Sequence, residues 1–257
     1  MPKPIKTKVS KAITKSKIAE MPVVIFCGGM GSRIREETID KPKPMINVGG
    51  KPILWHIMKM YNHQGYNNFI LTLGYKGDYI RDFLKSTQGK IFEPFNITLA
   101  ETGVDTPTGG RLLRSADFIK TDTFLCTYGD GFSDVDLNKV LDFHNNRDMV
   151  ATLTSVCIPH KFGIISFSKA GQLKNYKKGH LMKEPINAGF FVFTKKYFDY
   201  LTDDMMIEDP FNAVAKDKKF GVYFHDGYFG AVDTYKDLED LNDLWNNKNP
   251  PWKVWED

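Results

Sequence analysis

A doubly wound α/β fold, a mostly parallel Rossmann-like sheet flanked by helices, is predicted from two features of the chain. From Met21 onward, short runs of β-branched and aromatic residues alternate with longer amphipathic stretches, the order that builds parallel strands joined by helical crossovers. A glycine-rich loop follows directly on the first of these runs, where open α/β sheets bind nucleotides.

Strands are expected over 23–26, 69–73, 97–100, 124–127, 151–157, 163–167 and 188–193. Between the first two, Ile53, Leu54, Ile57, Met58 and Tyr61 recur at helical spacing. So do Val140, Leu141 and His144 after the fourth, and Tyr235, Leu238, Leu241 and Trp245 near the end. Such stripes are the core faces of helices. The run SDVDLNKVLDF reads as a capped helix start, which gives Asp134 and Asp136 a structural role. Without that cap they would form the DxD of a nucleotide-sugar glycosyltransferase. No internal repeat and no linker interrupts the chain, so residues 21–257 are expected to form a single domain behind a basic tail at 1–20.

The 257 residues are 42% hydrophobic and 26% charged, which excludes disordered, collagen-like and disulfide-scaffold classes. No apolar run approaches the roughly 20 residues of a membrane span. The formal charge of +4 is concentrated in the first twenty residues, which carry six Lys and one Glu and leave the body at −1. Neither nucleic acid nor membrane is therefore an expected partner. Cys27, Cys126 and Cys157 sit in or beside apolar runs without CxxC spacing, as buried, reduced thiols in a cytoplasmic protein do. The opening segment lacks the apolar centre of a secretory signal.

The chemistry begins at CGGMGSRIREETIDKPKPM. Gly28, Gly29 and Gly31, with Ser32 beside them, can turn backbone N–H groups toward a phosphate. No GxxxxGK[ST] occurs, and Ile34 occupies the third glycine position of a dinucleotide fingerprint. Arg33 offers a planar fork and Lys43 a point charge, a pair that suits a triphosphate.

Asp130 ends the apolar run FLCTYGD between Gly129 and Gly131, and Asp233 precedes the last helix. Brought together, the two would form a partial shell for Mg²⁺; apart, Asp130 is a turn residue and Asp233 a helix N-cap. Glu101, Thr102 and Gly103, then Thr108, Gly109, Gly110 and Arg111, follow the third strand. Glycines at a helix start expose backbone groups that a nucleobase edge can use.

The stretch from Gly28 to Tyr61, with KPKPM and GGKPILWHIMKMY, resembles the sugar-1-phosphate nucleotidyltransferases, most closely the glucose-1-phosphate cytidylyltransferase branch. The likeness runs from Met21 to the terminal NPPWKVWE. It implies the nucleotide-diphospho-sugar transferase type of fold and a reaction of CTP with a sugar-1-phosphate, glucose-1-phosphate first, giving a CDP-sugar and pyrophosphate. Arg33, Lys43 and Lys178 would act on the phosphates, Asp130 and Asp233 would hold Mg²⁺, and Glu101 to Gly103 with Gly109 to Arg111 would meet the nucleotide. Gly129, Lys161, Gly163 and Asn187 would meet the sugar phosphate, and a homo-oligomer is compatible with the family. Two departures stand out. Lys177 and Gly179 replace the Glu and Pro that flank the Lys of the family's EKP motif, and the segment 86–96 is some twenty residues shorter than in relatives. An altered acceptor site makes another phosphorylated acceptor the alternative to glucose-1-phosphate; the same chemistry with another nucleotide, or a nucleotide-sugar glycosyltransferase, are the alternative functions.

Overall fold

The structure, a computed structural model, describes residues 15–256. Helix α1 (Lys15–Glu20) leads into β1 (Pro22–Phe26), a strand buried throughout. Two 3₁₀ turns, Ser32–Thr38 and Lys43–Met45, are followed by β2 (Asn47–Val48), β3 (Lys51–Pro52), α2 (Ile53–His63) and β4 (Asn68–Leu73). Next come α3 (Gly77–Lys85), β5 (Asn96–Glu101), α4 (Thr108–Arg114), β6 (Thr123–Tyr128) and β7 (Gly131–Ser133). Helix α5 (Leu137–Asn146), β8 (Ala151–Val156), β9 (Ile164–Phe167), β10 (Leu173–Lys177) and β11 (Ile186–Thr194) follow. Helix α6 (Phe211–Lys216), β12 (Phe220–His225), β13 (Phe229–Ala231) and α7 (Tyr235–Asn246) complete the order.

Seven strands form one sheet in the order β12-β8-β11-β6-β1-β4-β5. β1 is parallel to β4 and β6, β4 to β5, and β8 to β12, whereas β11 runs against both of its neighbours, β6 and β8. The chain leaves β1 for β4 and β5, then returns to β6 on the other side of β1. That reversal opens a crevice at the carboxyl ends of β1 and β6.

Both faces of the central strands β1, β4, β6 and β11 are covered, which is why their runs are nearly continuously apolar, whereas the edge strands β5 and β12 are partly exposed. Val23 and Ile25 of β1 pack with α2, α5 and α7, while Val24 and Phe26 pack with Leu112, Tyr197 and Val214 on the other face. The stripes of α2, α5 and α7 bury Ile57, Val140 and Leu241 as their spacing requires, but Tyr235, in the first turn of α7, is exposed and does not join the core face. The basic tail expected at 1–20 falls partly on residues 1–14, outside the described residues. Its last six residues form α1, where Ile18 packs against the core.

Each expected strand has an observed counterpart, but the 163–167 run pairs with β10 in a separate two-stranded sheet instead of joining the large one. Strands β10 and β12 were not anticipated. No helix among the described residues is long and apolar enough to cross a membrane.

Two buried histidines tie this core to pH. His56 lies among Trp55, Trp245, Trp252 and Trp255. Its Nε2–H donates to the Val48 carbonyl at 2.8 Å, so Nδ1 is left to accept from Trp252 Nε1 at 3.4 Å. His144 Nδ1 sits 2.9 Å from Thr152 Oγ1. Burial lowers both from 6.5 to about 4. Because the unfolded chain takes up protons near pH 6.5 and the folded one resists them, this stability is fully present above that pH. It is lost as pH falls toward 4. Urea unfolding at pH 7.5 and pH 4.5 is expected to show a loss of a few kcal/mol, and His144→Gln is expected to flatten the dependence.

Candidate active site

The glycine loop leaves the buried end of β1 at Cys27. Gly31 adopts φ 63°, a left-handed conformation that a side chain would strain, and opens the Ser32–Thr38 turn. Lys76 closes that turn, its Nζ donating to the carbonyls of Thr38, at 2.7 Å, and Ile39. The turn projects Arg33 into solvent, its side chain 73% exposed, while Lys43 begins the next turn and is 13% exposed.

Asp130 follows β6, and Asp233 is carried back over the end of that strand by pairing of β13 with β7 and by the Val232 N–H donating to the Asp130 carbonyl at 3.1 Å. Helix α7 is capped by Thr234, not Asp233. The Asp237 carboxylate accepts the Thr234 N–H at 2.8 Å and the Asp233 N–H at 3.2 Å, a capping box that leaves the Asp233 side chain free of helix duty. Burial works against the charge of Asp237, but the hydrogen bonds from Thr234 outweigh it and lower its pKa.

The two carboxylates converge on one cation. Lys43 Nζ lies 2.5 Å from Asp130 Oδ2 and 3.0 Å from Asp233 Oδ1, and Arg33 Nη1 lies 3.0 Å from Asp233 Oδ2. No group of three or more His, Cys, Asp or Glu side chains among the described residues could cage a metal ion. A pair of carboxylates beside a phosphate-binding loop is nonetheless the donor set Mg²⁺ favours, since it keeps waters and takes phosphate oxygens as further ligands.

Two cavities meet here. One, of about 270 Å³, is lined by Gly29, Gly31, Lys43, Thr108, Arg111 and Gly129 among others. The second, of about 430 Å³, is lined by Arg33, Thr127, Gly131, Asn187, Glu208 and Asp233 among others. Tyr128, Asp130 and Met206 belong to both walls. Asp130 thus stands between the two cavities, with Asp233 beside it on the wall of the second.

Residues 22–251 match the nucleotidyl transferase family. The chain belongs to that family. It is 42% identical over 255 residues to the probable glucose-1-phosphate cytidylyltransferase of Bacillus subtilis, covering 91% of this chain and 100% of the relative. It is 39% identical over 260 residues to the glucose-1-phosphate cytidylyltransferase of Salmonella typhimurium, covering 92% and 100%. The crystal structure of HddC from Yersinia pseudotuberculosis superposes with a TM-score of 0.66 at 26% identity, covering 88% of this chain and 99% of that one.

In this nucleotidyl transferase the remaining expected site residues divide by position. Arg111 lines the first cavity, but it is 3% exposed and its guanidinium also holds the loops. It donates to the carbonyls of Gly28 (3.0 Å), Leu73 (3.1 Å), Gly103 (2.7 Å) and Val104 (2.9 Å), and to Thr102 Oγ1 (2.8 Å). Thr102 is buried and donates to the Leu73 carbonyl at 2.6 Å.

Gly109 and Gly110 lie against the 203–206 backbone. A Cβ on Gly110 would lie 2.1 Å from the Asp203 carbonyl, and the Gly110 N–H already donates to the Met205 carbonyl at 3.2 Å. Small residues there let α4 press on the 203–206 backbone. Glu101, at the end of β5, pairs with Arg81 of α3 outside both cavity linings.

On the acceptor side, Asn187 lines the second cavity, its Oδ1 accepting the Gly189 N–H at 2.8 Å. Lys161 reaches Asp237 at 3.6 Å. Gly163 packs against Tyr176, and Lys178 follows β10 on an exposed hairpin; neither lines a cavity. Tyr128, Met206 and Glu208 line the site without having been singled out, because isolated residues in YGDG and MMIEDP carry no spacing signal. Asp134 accepts from His225 Nε2 at 2.8 Å and the Tyr228 N–H at 2.7 Å, and Asp136 caps α5, so the DxD is structural.

Replacing Arg111 by Met would take a donor from four backbone carbonyls: those of Gly28 and Leu73 keep the N–H groups of Tyr75 and Thr102, while those of Gly103 and Val104 lose the donor they have. Urea unfolding is expected to show a loss of about 3 kcal/mol or more, with the midpoint moving and the slope unchanged.

Proposed function

We propose that this nucleotidyl transferase joins CTP and glucose-1-phosphate into CDP-glucose and pyrophosphate. The observation that carries the reading is the Arg33, Lys43, Asp130 and Asp233 cluster at the junction of two cavities, one beside the glycine loop and one beside Asn187. The relatives named above, aligned over their whole lengths, support the choice of cytidine and glucose. Residues 21–257 would act as one unit in the cytoplasm. Buried free thiols at Cys27 and Cys126, whose pKa values burial drives up, accord with a reducing compartment.

The glycine loop would receive the triphosphate, and the sugar phosphate would enter the second cavity. An oxygen of the sugar-1-phosphate attacks the α-phosphorus; the new P–O bond forms as the bond to the β-phosphate oxygen breaks, and pyrophosphate carries away the electron pair. No covalent enzyme intermediate is required. Asp130 and Asp233 would hold Mg²⁺, which when bound supplies charge neutralisation at the phosphates. Arg33, exposed on its turn, is placed to follow the departing pyrophosphate, and Lys43 to hold the reacting phosphates against one another. The work is positioning and charge compensation.

The test is pyrophosphate release with CTP, UTP, dTTP, GTP and ATP, each paired with glucose-1-phosphate and a panel of other sugar phosphates. Release is expected with CTP and glucose-1-phosphate, abolished by EDTA, and reduced on the order of 10²- to 10³-fold in kcat by Asp130→Asn. Full activity of that variant would overturn the metal assignment, and no release with any pair would overturn the function.

A further inference from the structure

We propose that Glu208 reads a hydroxyl group of the acceptor sugar, with Tyr128 as its positioning residue. The inference rests on the nucleotidyl-transfer reading above and names the side chain that sets acceptor choice within it.

Glu208 lies in the turn before α6 and lines the second cavity together with Asn187 and Asp233. It is half-buried. The Tyr128 hydroxyl donates to its Oε1, while its Oε2 is buried with no hydrogen-bond donor. Among the described residues no Lys, Arg or His pairs with it.

A carboxylate taken from water with one donor and no cation is costly unless a further donor completes it. The terminal torsion of a Glu side chain is soft, so a group entering the cavity can engage the second oxygen without backbone movement.

The chemistry of that donor follows from the site. A carboxylate only accepts, and it repels phosphate. Its partner is therefore an uncharged hydroxyl, and the phosphate of the acceptor would lie at the other wall, where Arg33 lines the cavity and Lys43 and Arg33 offset the charges of Asp130 and Asp233. A sugar-1-phosphate spans such a site with its anionic end at the reaction point and its ring hydroxyls at Glu208. The exposed cations Lys177 and Lys178 of the β9–β10 hairpin line neither cavity, and in this chain the hydroxyl-accepting carboxylate comes from the α6 turn.

The test uses the full chain, CTP, glucose-1-phosphate and its 2-, 3-, 4- and 6-deoxy analogues. The wild-type enzyme is expected to penalise one deoxy analogue in kcat/KM. Glu208→Ala is expected to raise the KM for glucose-1-phosphate about 10- to 100-fold, to leave the KM for CTP unchanged, and to abolish the penalty for that analogue. Glu208→Gln and Tyr128→Phe, which conserve shape, are expected to shift the same KM less and carry the test if the Ala variant does not fold. Deoxy penalties that persist unchanged in Glu208→Ala, or a rise in the KM for CTP equal to that for the sugar phosphate, would overturn the assignment while leaving the enzyme's function intact. A wild-type enzyme that releases no pyrophosphate with any acceptor would instead overturn the reading on which it rests.

Discussion

A single buried guanidinium organises the nucleotide side of this protein. Arg111 reaches from α4 to the carbonyls that end β1 and β4 and to the loop leaving β5. Three strand ends at the crevice therefore hang on one side chain. Among the described residues no carboxylate pairs with it, and burial lowers its pKa, with the nearby Arg114 adding to the effect. Backbone carbonyls carry the compensation instead. This arrangement leaves a net positive charge beneath the glycine loop, the sign that a polyphosphate requires.

Above that fixed charge sits a second, more adjustable set. Lys43 is held between Asp130 and Asp233, and Arg33 leans on Asp233 from the solvent side. The four charges balance among themselves, so neither carboxylate lacks a partner. Side chains on short turns, with opposite charges already in contact, can be redistributed over incoming phosphates without moving the sheet. The rigid layer and the adjustable layer meet at β1 and β6, whose register is set by two-sided burial.

The central strands, the three long amphipathic helices and the loop after β1 were readable from sequence because each has a strong local signal: continuous burial, helical periodicity, clustered glycine. β12 escaped notice because its pattern is inverted. Gly221 and His225 face inward while Val222 and Phe224 are exposed, so hydrophobic alternation does not report the buried side. β10, as LKNYK, is exposed along its length and carries no core signature. Asp130 and Asp233 stand out through their neighbours in the chain, and the fold brings both carboxylates to Lys43. Glu208 and Tyr128 meet across eighty residues, and no local pattern encodes that meeting. Glu101 pairs with Arg81, and Gly110 packs on the Asp203 carbonyl, contacts across the fold that a local pattern does not report.

The reversed strand β11 has an effect on how the enzyme can change. Nucleotide-side groups follow the ends of forward strands, but Asn187 stands at the beginning of β11, so the same edge of the sheet receives it from the opposite chain direction. The connection that feeds it, from β8 through the β9–β10 hairpin, lies outside the large sheet. Insertions and exchanges in that excursion can accumulate without passing strain into the strands that carry the glycine loop. The excursion and the large sheet are thereby free to drift at different rates.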